Sequence, residues 1–273
     1  MPSPASVPGP WPCPCRPRPR LSCGPSTAPP GARRDAIRRV GDIVGDWTLV
    51  ALLGTGATSA TWLARHRSGA ERILILLAGA PPTHRAWLAE HGDRLCRLRH
   101  QHIAEIDEIL DVDGAPALVV RRAAGEPLHR LLLRERPPLH AALRLFGDVV
   151  EAVAAAHAQG VLHLALSTHQ VIVEEDALGS RSATVVSFGM ASPAAPRSGH
   201  VDPGFLAPEQ LRDPAEVDER TDVFALAAML AELACGRRPF SGGTPQEVKA
   251  AILAGETGTL PTELPPPVRR VAG

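Results

Sequence analysis

The chain has 273 residues, 44% of them hydrophobic, which is enough for one large domain or two small ones with a substantial core. Its 29 basic and 29 acidic residues give a formal net charge of zero, so charge provides no reason to expect a nucleic acid or an anionic membrane as partner. There is no Tyr and no Asn, and the only lysine is Lys249. Any function that requires Asn, Tyr or a second lysine is therefore excluded.

Residues 1–40 form a tail rich in Pro and Arg. A segment of this composition buries too little apolar surface to offset its ordering entropy, so we expect it to be disordered. It lacks the apolar central run of a signal peptide. The rest of the sequence has no run of about eighteen apolar residues that could span a membrane. We therefore expect a cytoplasmic protein.

Short apolar runs separated by turn residues predict a small β-rich lobe over residues 46–122. Its five predicted antiparallel strands cover residues 47–53, 60–65, 72–77, 106–112 and 117–121. A helix is predicted over 83–98, between the third and fourth strands.

After Gly125 the pattern becomes helical. Apolar residues spaced three or four apart predict an amphipathic helix over 140–159, and residues 222–235 are apolar nearly all round, as in a helix buried within a core. Cys96 and Cys235 lie in these helical patterns and are expected to be buried thiols. The sequence thus predicts an α+β domain over 46–273, with a larger, mainly α lobe over 126–273.

Several short motifs, in this order, resemble those of the protein kinases, in particular the bacterial serine/threonine kinases. The motifs are a glycine-rich loop at Gly54 to Ser59, a Leu-x-His stretch at Leu98 to Ile103, a catalytic loop at His163 to Gln170, a Ser-Phe-Gly motif at Ser187 to Gly189, an Ala-Pro-Glu motif at Ala207 to Glu209 and a helix from Asp222. The resemblance implies the bilobal kinase fold with an ATP site between the lobes.

Kinase chemistry requires a lysine to hold the α- and β-phosphates, an aspartate as base, and an Asn and an Asp to bind Mg²⁺. At these positions the resemblance places, in the same order, Leu76, Ala165, Gln170 and Ser187. A bulky Leu74 also replaces the small residue that lies against the adenine. We therefore expect no catalytic residue, no metal site and no cofactor, with only the backbone N–H groups of Gly54 and Gly56 left to approach a phosphate weakly.

Residues that support the kinase fold are retained. The resemblance implies that His163 and Phe188, followed by Gly189, join the two lobes internally, and that Asp222 accepts hydrogen bonds from the backbone of the catalytic loop. Glu209 ends the Ala-Pro-Glu motif, whose glutamate pairs in this family with an arginine further along the chain. The sequence ends before the region that would supply that arginine, so we expect a truncated helical lobe or a fragment.

These observations favour a pseudokinase, a degenerate kinase that binds or scaffolds a protein partner that the sequence does not identify. The alternative is a serine/threonine kinase of atypical mechanism, for which ATP and Mg²⁺ would be the cofactors. A third interpretation is a decaying gene product without a stable function. None of the three implies a nucleic-acid partner or a membrane span.

Overall fold

The computed structural model describes residues 38–56, 58–193, 202–213 and 216–257. Nearly all of the tail that we predict to be disordered lies outside these residues. The same is true of residues 258–273, where the truncation of the helical lobe is expected.

The first lobe is an antiparallel sheet of six strands with one helix. Its elements are β1 (Ile43–Val44), β2 (Trp47–Thr55), β3 (Ala60–His66), β4 (Glu71–Leu76), α1 (Pro82–Arg97), β5 (Ile106–Val112) and β6 (Ala115–Val120). The strands are arranged in the order β1-β2-β3-β4-β6-β5. All five predicted strands and the predicted helix are confirmed, and β1 adds a short edge strand paired with β2.

The side chains of β4 alternate between the two faces of this sheet, as strand geometry requires. Ile75 and Leu77 join the hydrophobic cluster that contains residues of α1 and of the second lobe. Leu74 and Leu76 instead belong to a separate cluster on the other face, where Trp62 lies opposite Leu74 in the β3–β4 register. Leu74 and Leu76 therefore face away from α1 and from the second lobe.

The second lobe is mainly helical. Its helices are α2 (Leu128–Arg134), α3 (Leu139–His157), α4 (Pro208–Arg212), α5 (Glu219–Cys235) and α6 (Pro245–Ala254), and its small sheet comprises β7 (Glu126–Pro127), β8 (Val171–Glu175) and β9 (Arg181–Val185). The predicted helix over 140–159 is confirmed as α3. The one over 222–235 is confirmed as α5, which begins three residues earlier because Asp218 caps it through the N–H of Arg220. Residues on every side of α5 are buried.

One hydrophobic cluster connects the two lobes. It includes Leu95 of α1, Leu118 of β6, Phe188, and Met229 at the centre of α5. The predicted α+β fold of two lobes is thereby confirmed. Cys96 and Cys235 are buried free thiols, as predicted. Within the described ranges, no helix is both long enough and apolar enough to cross a membrane.

Gly125 lies where the chain passes from the first lobe to the second. Its φ is +105°, a conformation that L side chains rarely adopt, and a Cβ added there would lie 2.0 Å from the carbonyl oxygen of Val173. Gly69, in the β3–β4 turn, has a similar φ of +93° but nothing within 4 Å of its added Cβ. The two glycines therefore separate the cost of the backbone conformation from the cost of the clash.

We predict that Gly69→Ala lowers the free energy of unfolding by about 1 to 2 kcal/mol through backbone strain alone. Gly125→Ala carries the same strain and also overlaps β8, which adds about 1 to 3 kcal/mol. Urea denaturation of the two variants measures the difference. Equal losses of stability would show that the backbone at Gly125 can shift to make room for a Cβ. The close approach to Val173 would then not determine the conformation of this junction.

Candidate functional site

A cavity of about 760 Å³ lies between the lobes, at the place where the sequence predicts the nucleotide site. It is lined by Leu53, Gly54, Thr55, Gly56, Thr61, His169, Gln170, Asp202 and Pro203. The structure therefore brings together three of the predicted site residues, Gly54, Gly56 and Gln170. Ala165 and Ser187 are half-buried and are not among the residues that line it.

Leu76, which the resemblance places at the lysine position, belongs to the cluster on the outer face of β4, and it is not among the residues that line the cavity. Leu74 belongs to the same outer cluster. The inward positions of this segment are Ile75 and Leu77. The spacing of the motif does not determine on which face of the sheet each β4 side chain lies, because the β3–β4 turn sets the register of the strand. The inward residues are also apolar, so the strand supplies no cation to the cavity.

The glycine-rich loop uses part of its own hydrogen-bonding capacity. The N–H of Gly56 donates to the carbonyl oxygen of Ser59 over 2.7 Å, and Gly54 pairs with Thr61 across the β2–β3 hairpin. The predicted weak phosphate contact through Gly56 would therefore have to replace a bond that this N–H already makes.

Two neutral side chains of the catalytic loop are bonded to each other. Ser167 Oγ donates to Gln170 Oε1 over 2.5 Å and accepts from the N–H of His169. A hard divalent cation such as Mg²⁺ prefers carboxylate ligands, and the phosphates of ATP require positive charge. The described part of the chain holds no group of three or more His, Cys, Asp or Glu side chains arranged for a metal ion. Neither Ser167 nor Gln170 therefore supplies the charge that Mg²⁺-ATP requires.

The titratable residues on the cavity wall are His169 and Asp202, to which the sequence analysis gives no chemical role. The Asp202 carboxylate accepts from Arg238 Nη1 at 2.6 Å and from the N–H of Gly204 at 3.2 Å. Its Oδ2 lies 4.0 Å from His169 Nδ1. The sequence signal that could have identified Asp202 is its place just before the Ala-Pro-Glu motif, where the chain returns to the catalytic loop.

Asp222 is bonded to the backbone of the catalytic loop. Its carboxylate, almost fully buried, accepts from the N–H groups of His163 and Leu164, each over 2.8 Å, and lies 2.9 Å from His157 Nε2. Burial by itself raises the pKa of Asp222, but the hydrogen bonds from His157 and from the two backbone groups outweigh it and hold this pKa below its usual value. Asp222 is therefore an ionised residue of the core.

His163 is a fully buried histidine with its hydrogen bonds satisfied. Its ring meets the Phe188 ring edge-on, with centroids 4.7 Å apart, and its Nε2 lies 3.0 Å from the carbonyl oxygen of Val186. Burial lowers the pKa of His163, which favours the neutral ring with Nε2–H as donor. The contact links the catalytic loop to the segment after β9.

A second buried histidine, which the sequence analysis did not identify, ties α1 to that segment. His84 Nε2 lies 3.0 Å from the carbonyl oxygen of Gly189, and burial lowers the pKa of His84. Gly189 has a φ of +80°, and a Cβ there would meet Leu95 at 2.7 Å, so the position requires glycine. Glu209 accepts from Thr221 Oγ1 over 2.7 Å.

Two replaced positions adopt an unusual backbone conformation. Leu164 and Ser187 have φ angles of +60° and +72°, a region that a bulky residue such as leucine rarely occupies. The N–H of Leu164 donates to the Asp222 carboxylate, and the carbonyl oxygen of Leu164 accepts from Gln210 Nε2. The surrounding structure therefore maintains the strained loop.

A comparison with protein families matches residues 47–267 to the protein kinase domain. The chain is 32% identical over 239 residues to the serine/threonine-protein kinase PkaA of Streptomyces coelicolor, covering 79% of this chain and 43% of that protein. It is 31% identical over 216 residues to PkaB of the same organism, covering 74% and 51%. The chain thus spans about half or less of the length of these relatives.

Among solved structures, the fold is similar to the PknI kinase domain of Mycobacterium tuberculosis. One such structure, a double mutant, superposes with a TM-score of 0.63 at 23% identity, covering 80% of this chain and 85% of that one. This likeness supports the two-lobe fold.

We predict that Asp222→Asn lowers the free energy of unfolding by about 1 to 3 kcal/mol at pH 7, because buried N–H donors lose a charged acceptor. A carboxyl with a lowered folded-state pKa stabilises the fold above its unfolded value of about 3.9, and this contribution is lost as the pH falls through the folded value. The difference between parent and variant should therefore shrink in acid. Asp46→Asn, at an exposed site, is the control, and a variant as stable as the parent at pH 7 would contradict the assignment.

We also predict that Phe188→Ala costs about 3 to 5 kcal/mol, because it removes a large buried side chain from the cluster that joins the lobes. Ser187→Asp should change stability by no more than about 0.5 kcal/mol, since the site is half-buried and aspartate tolerates a positive φ. Denaturant melts compare the two. The reverse order of effects would show that the segment at 187 and 188 is packed differently.

Proposed function

The chain belongs to the protein kinase family, and from that premise we propose that it is a pseudokinase, a member that has lost phosphotransfer and acts as a binding module for a protein partner. The observation that carries the proposal is the chemistry of the interlobe cavity. Gln170 on its wall is bonded to the neutral Ser167 behind it, the inward residues of β4 are apolar, and Ala165 of the catalytic loop has no proton-accepting group.

The typical rate losses for such replacements support a complete rather than a partial loss of phosphotransfer. Removal of a general base alone typically costs about 10²- to 10⁴-fold in rate. Removal of one group that stabilises transition-state charge costs about 10²- to 10³-fold more. Such effects do not simply multiply, but lysine, base and metal ligands act as a unit, so replacing one of them singly should not restore activity.

The retained contacts support a binding role. Asp222, His163 and Phe188 keep the catalytic-loop backbone and the lobe junction in place, at some cost in strain at Leu164. In an active kinase this frame positions reacting groups. In this chain the frame positions the surface around the interlobe cavity.

The second candidate is a serine/threonine kinase of atypical mechanism. The family match and the names of the relatives favour it, since these are serine/threonine-protein kinases. The cavity also offers Asp202, a carboxylate on its wall that would have to accept the proton of the substrate hydroxyl in place of the missing base. One of its oxygens, Oδ1, is already engaged by Arg238 Nη1 at 2.6 Å.

We predict that the purified chain transfers no phosphate from radiolabelled Mg²⁺-ATP to itself or to a generic serine/threonine peptide above a heat-killed control. We also predict that Mg²⁺-ATP leaves its melting temperature unchanged. A dissociation constant one hundredth of the nucleotide concentration would add about 2.7 kcal/mol to the free energy of unfolding, which a thermal melt detects readily.

Incorporation that persists through repurification would support the second candidate, provided that Asp202→Asn abolishes it and Asp46→Asn does not. If both variants keep the incorporation, or if both lose it, the activity would point to a contaminating kinase. Both outcomes can be read from one gel if the parent and the two variants are purified in parallel.

A further inference from the structure

The β2–β3 hairpin, which lines one side of the interlobe cavity, rests on the turn between β4 and α1. In that turn, the N–H of Gly79 donates to the carbonyl oxygen of Thr58 over 3.1 Å. The two backbones are so close that a Cβ added at Gly79 would lie 2.9 Å from the Cα of Thr58. The φ of Gly79 is not in the positive region, so the close approach alone requires glycine at this position.

Arg85, in the first turn of α1, holds the β4–α1 turn in place. Its Nε donates to the carbonyl oxygen of Ala80 over 2.8 Å, and its Nη2 donates to that of Ala78 over 3.3 Å. Its Nη1 reaches the carbonyl oxygen of Gly114, in the β5–β6 turn, over 3.1 Å. Ala78 and Ala80 flank Gly79, so one planar guanidinium fixes the peptide that receives the hairpin.

The preceding residue, His84, ties the same turn of helix to the segment after β9. Its side chain is buried, and its Nε2 lies 3.0 Å from the carbonyl oxygen of Gly189. Gly189 in turn lies close to Leu95 of α1, where an added Cβ would meet the leucine side chain at 2.7 Å. The segment after β9 is therefore packed against α1 at two points.

The two contacts start from one rigid piece of backbone. The N–H groups of His84 and Arg85 both donate to the carbonyl oxygen of Pro81, over 3.0 and 3.1 Å. A movement of the β4–α1 turn that displaces the Arg85 guanidinium therefore also displaces the residue that holds Gly189.

We propose that the first turn of α1 is a clasp that couples the two sides of the cleft. Through Arg85 it holds the tip of the β2–β3 hairpin against Gly79, and through His84 it transmits a displacement of that tip to the segment after β9. The coupling is reciprocal, because a free energy that links two sites acts in both directions. A ligand that moves the hairpin then shifts the segment after β9 as well. The clasp does not depend on whether the chain transfers phosphate.

The test is amide hydrogen exchange, followed by NMR without nucleotide, which measures how often each hydrogen bond opens. The N–H of Gly56, bonded to Ser59, reports on the hairpin tip, and the N–H of Met190, bonded to Ser187, reports on the segment after β9. The N–H of Gly236, at the end of α5, reports on the stability of the helical lobe away from the clasp.

Gly79→Ala pushes the hairpin tip away, so we expect the exchange of Gly56 to accelerate. The exchange of Met190 should accelerate about fivefold or more, the lower end of typical couplings between sites, while that of Gly236 stays unchanged. Gly147→Ala is the matched control, because an added Cβ there meets nothing within 4 Å and the position has no positive φ. It should accelerate none of the three amides.

Two further pairs of variants test the side chains of the clasp. Arg85→Met removes the guanidinium and keeps the apolar stem, so it should act like Gly79→Ala. Arg94→Met, on the same helix, removes a single bond to the carbonyl oxygen of Gly160 and should not affect Gly56 or Met190.

His84→Leu leaves the carbonyl oxygen of Gly189 without its donor, and it should accelerate the exchange of both Met190 and Gly56. His84→Gln supplies an amide N–H for the same carbonyl and should restore slow exchange at both. In the double variant Gly79→Ala/His84→Leu, the two accelerations should be smaller than the product of the single effects, since one clasp is broken twice.

The proposal is overturned if Gly79→Ala accelerates Gly56 alone, or if His84→Leu accelerates Met190 alone, because the two sides would then open independently. It is also overturned if Gly236 accelerates as much as the other two amides, which would show a loss of global stability. Independent, multiplicative effects in the double variant would have the same meaning. None of these outcomes affects the phosphotransfer assay, which uses different variants and a different readout.

Discussion

The buried carboxylate of Asp222 is the interaction on which the arrangement of the helical lobe depends. It is paired with His157 of α3 and accepts the two backbone N–H groups of His163 and Leu164, so one ion from α5 connects α3 to the catalytic loop. A buried charge is costly unless every lone pair finds a donor. The loop therefore has to adopt the conformation that supplies those donors, including the positive φ of Leu164.

The fold could be predicted largely from the sequence because its signals are local. Alternating strands, the all-apolar segment that becomes α5 and the order of the motifs each point to the same two lobes. The face of each β4 residue could not be predicted, because register depends on the turn before the strand and a shift of one residue reverses the inside and outside. Leu74 and Leu76 both lie on the outer face of β4.

The candidate site was predicted in part. Gly54, Gly56 and Gln170 were identified from their motifs and do meet at the interlobe cavity. His169, Asp202 and His84 were not given a chemical role, because their significance arises from contacts between residues far apart in the chain: His84 with Gly189, and Asp202 with Arg238. Such pairings leave no mark on spacing or composition.

The hydrophobic cluster that passes through both lobes has a consequence for motion. Domains that move against each other usually meet at a small, polar interface. Here Leu95, Leu118, Phe188 and Met229 belong to one continuous core, so opening the cleft would expose apolar surface to water. The two lobes should lose their structure together in a single cooperative transition, and the surface that spans them is then held at a fixed shape.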